Sequence, residues 1–439
     1  MSNVRLPLRG LVPFATGSVG MGVWVTVPGL LLLYFLTDVL AVTPLLAGFV
    51  LLAPKILDVV LHPWVGRLSD ADLARRGHRR RLMLAGCALA VAFAAMFAVP
   101  GGLRGAPAAL WVAVAFIAGN LLFAAYQVPY LATPADLSIG YHERTRLMGF
   151  RMVVLTVGIL LSGVAAPLFA DALGYTRMGL VLGAAMLAAM LVGILGVLRL
   201  TAAAPVLRTT GTRHGLLASL RDRQFRALVA SYLAMSTTTH LVLAAVPYFA
   251  EYELGRPKLT TVLVAAFVAP AILATPVWVV VARRIGKQRG LLVAQASFVA
   301  GSLVLALGSA AGLPLIVAAV AVLGVAFAAM QLLPFSMLPD VIAASGPDGT
   351  TRAGGYTGVW TAAEATGGAL GPYLYAACLA LGGFAASESS SVIVQSSSAL
   401  AAVRYGFAVV PAVLMTVSVF LQRRYTLDNG ATLPGPIAS

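Results

Sequence analysis

Uninterrupted apolar runs of membrane-spanning length limit most strongly what this chain can fold into. The runs Leu180–Leu198 and Leu313–Leu333 contain no charged residue, and a helix of roughly 20 apolar residues crosses the hydrocarbon core of a bilayer. Neither run alternates polar and apolar residues, as the strands of a membrane barrel do. Only 10% of all residues are charged, against about a quarter in soluble domains. The sequence therefore predicts an all-α integral membrane protein.

Twelve such stretches follow one another along the chain and predict twelve transmembrane helices. A polar stretch from Arg199 to Arg226 divides them into two sets of six. The predicted domains are an N-terminal six-helix bundle (1–198), a cytoplasmic central loop (199–225), a C-terminal six-helix bundle (226–424) and a cytoplasmic tail (425–439). The stretches cover roughly residues 11–37, 44–66, 82–99, 108–132, 147–169, 178–198, 226–250, 260–281, 291–311, 313–337, 355–381 and 401–421.

The net charge of +15 lies mostly in short arginine clusters between the apolar stretches. When the loops are assigned alternately to the two sides, one side holds 24 Lys and Arg and the other holds 5, with Lys55 inside a span. The positive-inside rule then places both termini and the central loop in the cytoplasm. This distribution predicts a multi-pass protein of the inner (plasma) membrane, with the lipid bilayer rather than nucleic acid as its partner.

The two halves of the chain repeat one another in part. Phe123–Asp136 (FAAYQVPYLATPAD) and Phe327–Asp340 (FAAMQLLPFSMLPD) are displaced by 204 residues and match at five of fourteen positions. Both segments end the fourth predicted helix of their half. Composition bias in an alanine-rich chain is the alternative explanation. A duplication accounts for the equivalent positions, and parallel six-helix repeats are a main transporter architecture.

Ionisable residues inside the predicted spans are candidates for function, because a charge in hydrocarbon is costly. At about 100° per residue, Lys55, Asp58 and His62 share one face of the second span. Asp58 with His62 can carry a proton near neutral pH, and a structural ion pair with a hydrogen-bonded histidine is the alternative. Glu364 lies nine residues into its span. The predicted groups for coupling to a cation or a proton are Asp58, His62, Lys55 and Glu364.

Other polar and aromatic residues inside the spans are candidates for binding a solute. Some of them have an alternative: Arg151 can snorkel to the cytoplasmic surface, His240 can pack helices through a hydrogen bond, and the aromatic side chains can fill the core. The predicted substrate-binding residues are Arg151, Gln127, Tyr126, Trp24, Asn120, Gln331, His240 and Trp360. A cytoplasmic gate of salt bridges is predicted from Asp70, Asp136, Arg144, Asp340 and Arg352.

The sequence lacks the signatures of several enzyme classes. It contains no GxxxxGK[ST] loop, no HExxH and no CxxC. We therefore expect no enzymatic activity, no metal site and no cofactor, so uphill transport must draw on an ion gradient. Cys87 and Cys378 both fall inside apolar spans, which predicts two buried thiols rather than a disulfide.

Six stretches, in order along both halves, carry family motifs. They are LLYFLTDVL (Leu32–Leu40), ILDVVLHPWVGRLSD (Ile56–Asp70), RRGHRRR (Arg75–Arg81), PADLSIGYHERTRLMGFR (Pro134–Arg151), LPFSMLPDVI (Leu333–Ile342) and YTGVWTAAEATGGALGP (Tyr356–Pro372). On these residues the chain resembles the glycoside–pentoside–hexuronide:cation symporter family, a branch of the major facilitator superfamily that includes melibiose permease. The resemblance implies a twelve-helix major facilitator fold, a central cavity open alternately to each side, and cation-coupled uptake of sugars.

The chain departs from that family where the resemblance implies cation and sugar sites. Asp58 takes the place of one helix-2 cation-site aspartate, while the second falls on His62. The family's helix-4 aspartate falls on Gln127, and its helix-1 sugar-binding aspartate falls on Gly22. A helix-11 lysine of many members falls on Ala365.

Three positions keep the family's residue types. They are the helix-5 arginine at Arg151, the helix-2 basic residue at Lys55 and the helix-11 acid at Glu364. A hard cation needs several oxygen ligands, and this chain has lost carboxylates. A proton is therefore a better candidate for the coupling ion than sodium.

The sequence as a whole predicts a secondary active transporter resembling sugar:cation symporters. In this interpretation two six-helix bundles rock around a small-molecule site, and the protein is a monomer. The alternatives are a proton-coupled or uncoupled carrier of an anionic or amphipathic solute, such as a lysolipid or an organic anion, and a non-transporting membrane sensor or assembly protein.

Replacing Asp58 is expected to abolish transport. Asp58→Asn removes the inward carboxylate of helix 2, the best coupling group that the sequence offers there. Solute uptake into proteoliposomes measures the effect, with and without sodium. Folded Asp58→Asn protein that transports at the wild-type rate would contradict the assignment.

Overall fold

The computed structural model describes residues 6–76, 78–137, 141–203, 216–344, 353–387 and 394–427. For some helical residues within these ranges it describes the backbone and not the side chain. These are residues 55, 56, 58–63, 70, 135, 136, 141, 142, 144, 145, 203, 216–218, 343, 353–355 and 357. Throughout the described ranges the chain is helical, with short connections.

Twelve long helices account for almost all of the described chain. The first six are α1 (Leu8–Val27), α2 (Pro44–Arg76), α3 (in two pieces, Arg80–Gly86 and Leu89–Phe97), α4 (Gly105–Asp136), α5 (Tyr141–Leu173) and α6 (Tyr175–Ala203). The second six are α7 (Arg223–Tyr248), α8 (Leu259–Ile285), α9 (Lys287–Leu305), α10 (Leu313–Ala344), α11 (Ala353–Leu381) and α12 (Ser397–Gln422). Short 3₁₀ turns lie at Leu216–Arg221 and Gly308–Ala311.

Each predicted span falls on one of these helices in order, which confirms the all-α membrane fold. Over their described residues, ten of the helices are long and apolar enough to cross a membrane. The first helix of each half continues in π-helical turns, at Pro28–Leu32 and Phe35–Val39 after α1 and at Phe249–Glu253 after α7. The third predicted span proves to be interrupted after Gly86.

The chain divides into two compact units. Unit 1 comprises Met1–Gly211 with Ala385–Val394, and unit 2 comprises Thr212–Phe384 with Gln395–Ser439. The two cysteines lie in different units, and both thiols are free. Cys87 is buried as expected, whereas Cys378 is only half-buried.

In unit 1, α1 packs against both α5 and α6, and α4 packs against α2 and α3. Glycines permit the close approach of α1 to its neighbours. A Cβ on Gly22 would lie 2.8 Å from the Ile159 nitrogen in α5, and a Cβ on Gly196 would lie 2.1 Å from the Phe14 nitrogen in α1. Both distances are shorter than van der Waals contact, so these helix pairs depend on residues without side chains.

A short segment after α11 completes unit 1. The Ser387 amide donates to the Thr37 carbonyl at 2.9 Å, and the Ala41 amide donates to the Ser387 carbonyl at 3.1 Å. Ala41 has a left-handed backbone conformation, with φ of 55°. These bonds satisfy backbone groups that the end of the first helical segment leaves open.

In unit 2, α7 packs against α11 and α12, while α10 packs against α8 and α9. A polar network holds α7, α9 and α12 together. The Ser231 and Ser418 hydroxyls lie 3.0 Å apart, and Gln295 Nε2 donates to Ser418 Oγ at 2.9 Å. All three side chains are fully buried, and such hydrogen bonds join helices within a membrane.

A carboxylate joins three segments at the C-terminal end of α7. Glu253 accepts hydrogen bonds from Arg404 Nε at 2.9 Å and from the Ser309 amide at 2.7 Å. Its side chain is 3% exposed, whereas that of Arg404 is 35% exposed. The bonds connect α7 to α12 and to the turn between α9 and α10.

The two partners of this ion pair are expected to differ in their effect on stability. Arg404→Gln leaves a buried carboxylate with one remaining donor, and losing a hydrogen bond to a charged group costs about 2 kcal/mol. Glu253→Gln leaves an arginine that can turn towards solvent, so its cost is smaller. Thermal unfolding of the purified protein measures both variants. Equal losses, or a greater loss in Glu253→Gln, would contradict this interpretation.

Candidate functional site

Unit 2 contains a stack of aromatic rings at the contact between α7 and α11. The rings of Tyr232 and Trp360 are parallel, with centroids 4.0 Å apart and an interplanar angle of 18°. Phe335 of α10 meets both rings edge-on, at 5.8 Å and 5.5 Å. Trp360 is 2% exposed, and its Nε1 has no hydrogen-bond acceptor among the described residues. The stack therefore presents an indole N–H that is free to donate.

Glu364 lies one helical turn beyond Trp360 and extends the aromatic stack with a carboxyl group. The Tyr232 hydroxyl and this carboxyl group interact across the helix contact. The Ser236 hydroxyl donates to the Glu364 backbone carbonyl at 3.1 Å. Ser236 Oγ also lies 3.4 Å from His240 Nδ1, which is 2.8 Å from the Ser236 carbonyl. We call Tyr232, Ser236, His240, Trp360 and Glu364 the α7–α11 cluster.

The spacing along the two helices explains how the cluster forms. Tyr232, Ser236 and His240 recur every four residues, and they face Trp360, Glu364 and Gly368, which have the same spacing. Residues four apart share one face of a helix, so two parallel helices bring the sets together.

Glycines of α11 set the distance between these helices. A Cβ on Gly367 would lie 2.5 Å from Ser236 Oγ, and a Cβ on Gly371 would lie 2.6 Å from the Leu241 nitrogen. The His240 ring packs over Gly368, where a Cβ would lie 3.4 Å from Nε2. The GGALG sequence thus brings α11 close enough for Ser236 to reach the Glu364 backbone.

In unit 1, Arg151 is a cation enclosed by protein. Only 6% of its surface is exposed, so it does not snorkel to water. The guanidinium carbon lies 5.9 Å from the centre of the Tyr130 ring, and the Tyr130 hydroxyl is 3.0 Å from Ser18 Oγ. The Arg151 Nε has no hydrogen-bond partner among the described residues. A buried arginine in this state can bind an anionic group.

Three other predicted binding residues lie inside helix contacts of unit 1. Trp24 is surrounded by the rings of three phenylalanines, Phe93, Phe116 and Phe123. Tyr126 is fully buried, and its hydroxyl donates to the Met190 carbonyl at 3.1 Å. Asn120 is also fully buried. The placement of Trp24 and Tyr126 matches the core-packing alternative, and the binding role of all three residues stays a prediction.

The remaining predicted residues have varied positions. Gln127 is half-buried, and Gln331 is exposed on α10. Asp340 forms an ion pair with Lys287, whose Nζ also donates to the Ser336 carbonyl at 2.9 Å; it is thus paired within its own unit. Seven predicted side chains lie outside the described part of the structure, so their roles stay predictions. These are Lys55, Asp58, His62, Asp70, Asp136, Arg144 and Arg352.

Sequence reasoning missed Tyr232 and Phe335. The periodicity of α7 was a usable signal for Tyr232, because it lies four and eight residues before Ser236 and His240. For Phe335 there was no such signal, since its role depends on the packing of α10 against α7 and α11. In the described part of the chain no group of three His, Cys, Asp or Glu residues could hold a metal ion.

Comparison with known proteins identifies a family that this chain matches. The model of the MFS/sugar transport protein family matches residues 13–429. An uncharacterized symporter of Synechocystis, sll1374, is 32% identical over 169 residues, which are 37% of this chain and 31% of the relative. The putative glycoside/cation symporter YagG of Escherichia coli is 25% identical over 58% of this chain and 57% of its own length. The chain thus matches these two relatives over less than two thirds of their length.

A mouse protein and a solved structure extend the comparison. The sodium-dependent lysophosphatidylcholine symporter 1 of Mus musculus is 27% identical over 72% of this chain and 66% of its own length. The crystal structure of a bacterial homologue of the human lysosomal transporter Spinster superposes with a TM-score of 0.71. It is 13% identical and covers 96% of this chain and 98% of its own. At that identity the superposition demonstrates a shared fold.

Introducing an aspartate at Gly22 is expected to destabilise the protein. The new Cβ would lie 2.9 Å from the Gly158 carbonyl carbon and 3.2 Å from the Leu155 carbonyl oxygen, so α1 and α5 must separate. Overpacking of this kind costs about 1–3 kcal/mol. The matched control is Gly149→Asp in α5, the helix that Gly22 contacts, where a Cβ meets nothing within 4 Å. Equal losses of thermal stability in Gly22→Asp and Gly149→Asp would contradict the expectation.

Proposed function

The chain belongs to the MFS/sugar transport protein family, and on that premise we propose that it is a secondary active transporter that moves a small solute across the membrane by alternating access. The protein is a multi-pass membrane protein with two compact helical units. Its arginine-rich loops support an orientation with both termini in the cytoplasm.

The α7–α11 cluster is the observation that carries the proposal for coupling. It places a carboxyl group, a phenol hydroxyl and an imidazole along the contact of α11 with α7, and α7 is long and apolar enough to span a membrane. Glu364 is only partly buried, and it forms no ion pair with a cation among the described residues. A carboxyl group at such a position can take up a proton on one side of the membrane and release it on the other. We assign Glu364 the coupling role in unit 2, with Tyr232 as its positioning residue.

Protons fit this cluster better than sodium ions do. A hard cation requires several oxygen ligands in its coordination shell. Glu364 supplies one carboxyl group, and its neighbour Ser236 donates its hydroxyl to a backbone carbonyl. The departures at His62, Gly22 and Gln127 remove further oxygens that a sodium site would need.

Two solute classes follow from different observations. The first is a sugar or glycoside, supported by the family description and by the glycoside/cation symporter relative. Trp360 adds an N–H donor that has no acceptor among the described residues and could bond a sugar hydroxyl. The second class is an anionic or amphipathic solute. It is supported by the enclosed Arg151 in unit 1 and by the lysophosphatidylcholine symporter relative.

Neutralising Glu364 is expected to separate solute movement from proton movement. In proteoliposomes with an acidic outside, wild-type protein accumulates solute, whereas Glu364→Gln only equilibrates it. Exchange of labelled for unlabelled solute continues, since exchange requires no net proton transfer. Glu251→Gln, the same change near the end of α7, is the matched control and keeps accumulation.

The outcomes distinguish the alternatives. Undiminished accumulation by Glu364→Gln overturns the coupling role of Glu364. Stimulation of wild-type uptake by sodium overturns the proton assignment. Absence of any flux across glycosides, organic anions and lysophospholipids supports a sensor or assembly protein instead. The Arg151→Gln variant distinguishes the two solute classes. If it loses uptake of anionic solutes only, the second class is identified.

A further inference from the structure

An open groove of about 380 Å³ in unit 2 lies along α7 and α11. This volume falls in the range of ligand sites, roughly 300–1,000 Å³. It involves different residues from the α7–α11 cluster, so the transport mechanism proposed above does not use it. We refer to it as the α7–α11 groove.

The α7 wall of the groove is a single helical face. Its members are Arg226, Val229, Ala230 and Leu233, which are spaced i, i+3, i+4 and i+7. This spacing defines one stripe of a helix. The stripe is about 10 Å long at 1.5 Å per residue. Arg226 stands at one end of it, and three apolar side chains follow.

The α11 wall repeats the same pattern. Val359, Ala362, Ala363 and Thr366 line it, again at i, i+3, i+4 and i+7. The Thr366 hydroxyl is bonded to the Ala362 carbonyl at 2.7 Å, so the threonine presents mainly its methyl group to the groove. Alanines on both walls leave an open groove beside the contact between the two helices. The result is a slot whose walls are apolar except at the end where Arg226 stands.

Positive charge surrounds the end of the groove where α7 begins. Arg221, Arg223 and Arg226 are all exposed there. The acidic residue among them, Asp222, is already engaged. Its Oδ1 caps α7 by accepting from the Gln224 and Phe225 amides at 2.8 Å and 3.2 Å, and its Oδ2 accepts from the Tyr356 hydroxyl at 3.4 Å. The arginines thus keep a net positive charge for a ligand outside the protein.

We propose that the α7–α11 groove binds the hydrocarbon chain of a membrane phospholipid, whose anionic headgroup pairs with Arg226 and its neighbouring arginines. An apolar slot of helix-stripe length matches an acyl chain, and basic pockets between membrane helices bind anionic headgroups. The headgroup supplies the negative charge that balances the arginines, while the acyl chain fills the groove that the alanines leave open. This lipid site is independent of which solute the protein carries and of whether Glu364 couples transport.

Lipid binding by the purified full-length protein tests the proposal. Native mass spectrometry counts bound phosphatidylglycerol and phosphatidylcholine that have identical acyl chains. Wild-type protein is expected to prefer phosphatidylglycerol. One basic residue near a membrane surface contributes about 1 kcal/mol to such binding, so Arg226→Gln is expected to lower phosphatidylglycerol affinity about fivefold and to leave phosphatidylcholine unchanged.

A second experiment fills the groove with larger side chains. Ala363→Leu and Ala230→Leu occupy the slot from opposite walls, and each is expected to reduce phosphatidylglycerol binding. Ala269→Leu places the same side chain at an exposed site on α8 and is the matched control. Thermal unfolding of each variant identifies those that remain folded.

Three results would overturn the proposal. The first is equal phosphatidylglycerol binding by both groove variants and the control. The second is a phosphatidylglycerol preference that survives Arg226→Gln. The third is a dimer peak that Ala363→Leu removes, because a second copy of the chain would then occupy the groove.

Discussion

Polar groups inside a membrane must find partners within the protein, and the rest of this structure depends on that constraint. The backbone meets the constraint by forming twelve helices, and the side chains meet it locally. The hydroxyls of Thr237, Thr238 and Thr239 each bond to the carbonyl four residues earlier in α7, at 2.8 to 3.0 Å. Ser236 and His240, in the same polar patch, turn to the contact with α11 instead. Buried polar atoms that have no partner among the described residues, such as Trp360 Nε1 and Arg151 Nε, are therefore candidates for binding a solute.

Close packing at glycines makes these polar contacts possible. Ser236 can donate to the Glu364 carbonyl because Gly367 and Gly371 let α11 approach the backbone of α7. In unit 1, Gly22 plays the equivalent part between α1 and α5. The position that the family resemblance links to a sugar-binding aspartate is thus one that a side chain cannot occupy here without moving a helix. At Gly22 the chain therefore lacks the carboxylate that the resemblance implies, and in its place it gains a close contact between α1 and α5.

The sequence was sufficient for the fold because hydrophobic length is a strong signal. Twelve apolar stretches became twelve helices, and departures arose where local backbone geometry intervened, as at the break after Gly86. The candidate site was only partly predictable. Position inside a span singled out Glu364 and His240, and aromatic character singled out Trp360, but neither signal indicated the contact of Tyr232 with Glu364 or the ring contact of Phe335. Those contacts depend on which helices are neighbours, and hydropathy does not contain that information.

The central claim is that Glu364 and its neighbours couple solute entry to proton entry. The most direct test is the external pH of a weakly buffered suspension of proteoliposomes when solute is added without any imposed gradient. The account predicts that the external medium becomes more alkaline as solute enters, and that this change is absent from Glu364→Gln vesicles. Solute entry by the wild-type protein at unchanged external pH would contradict it.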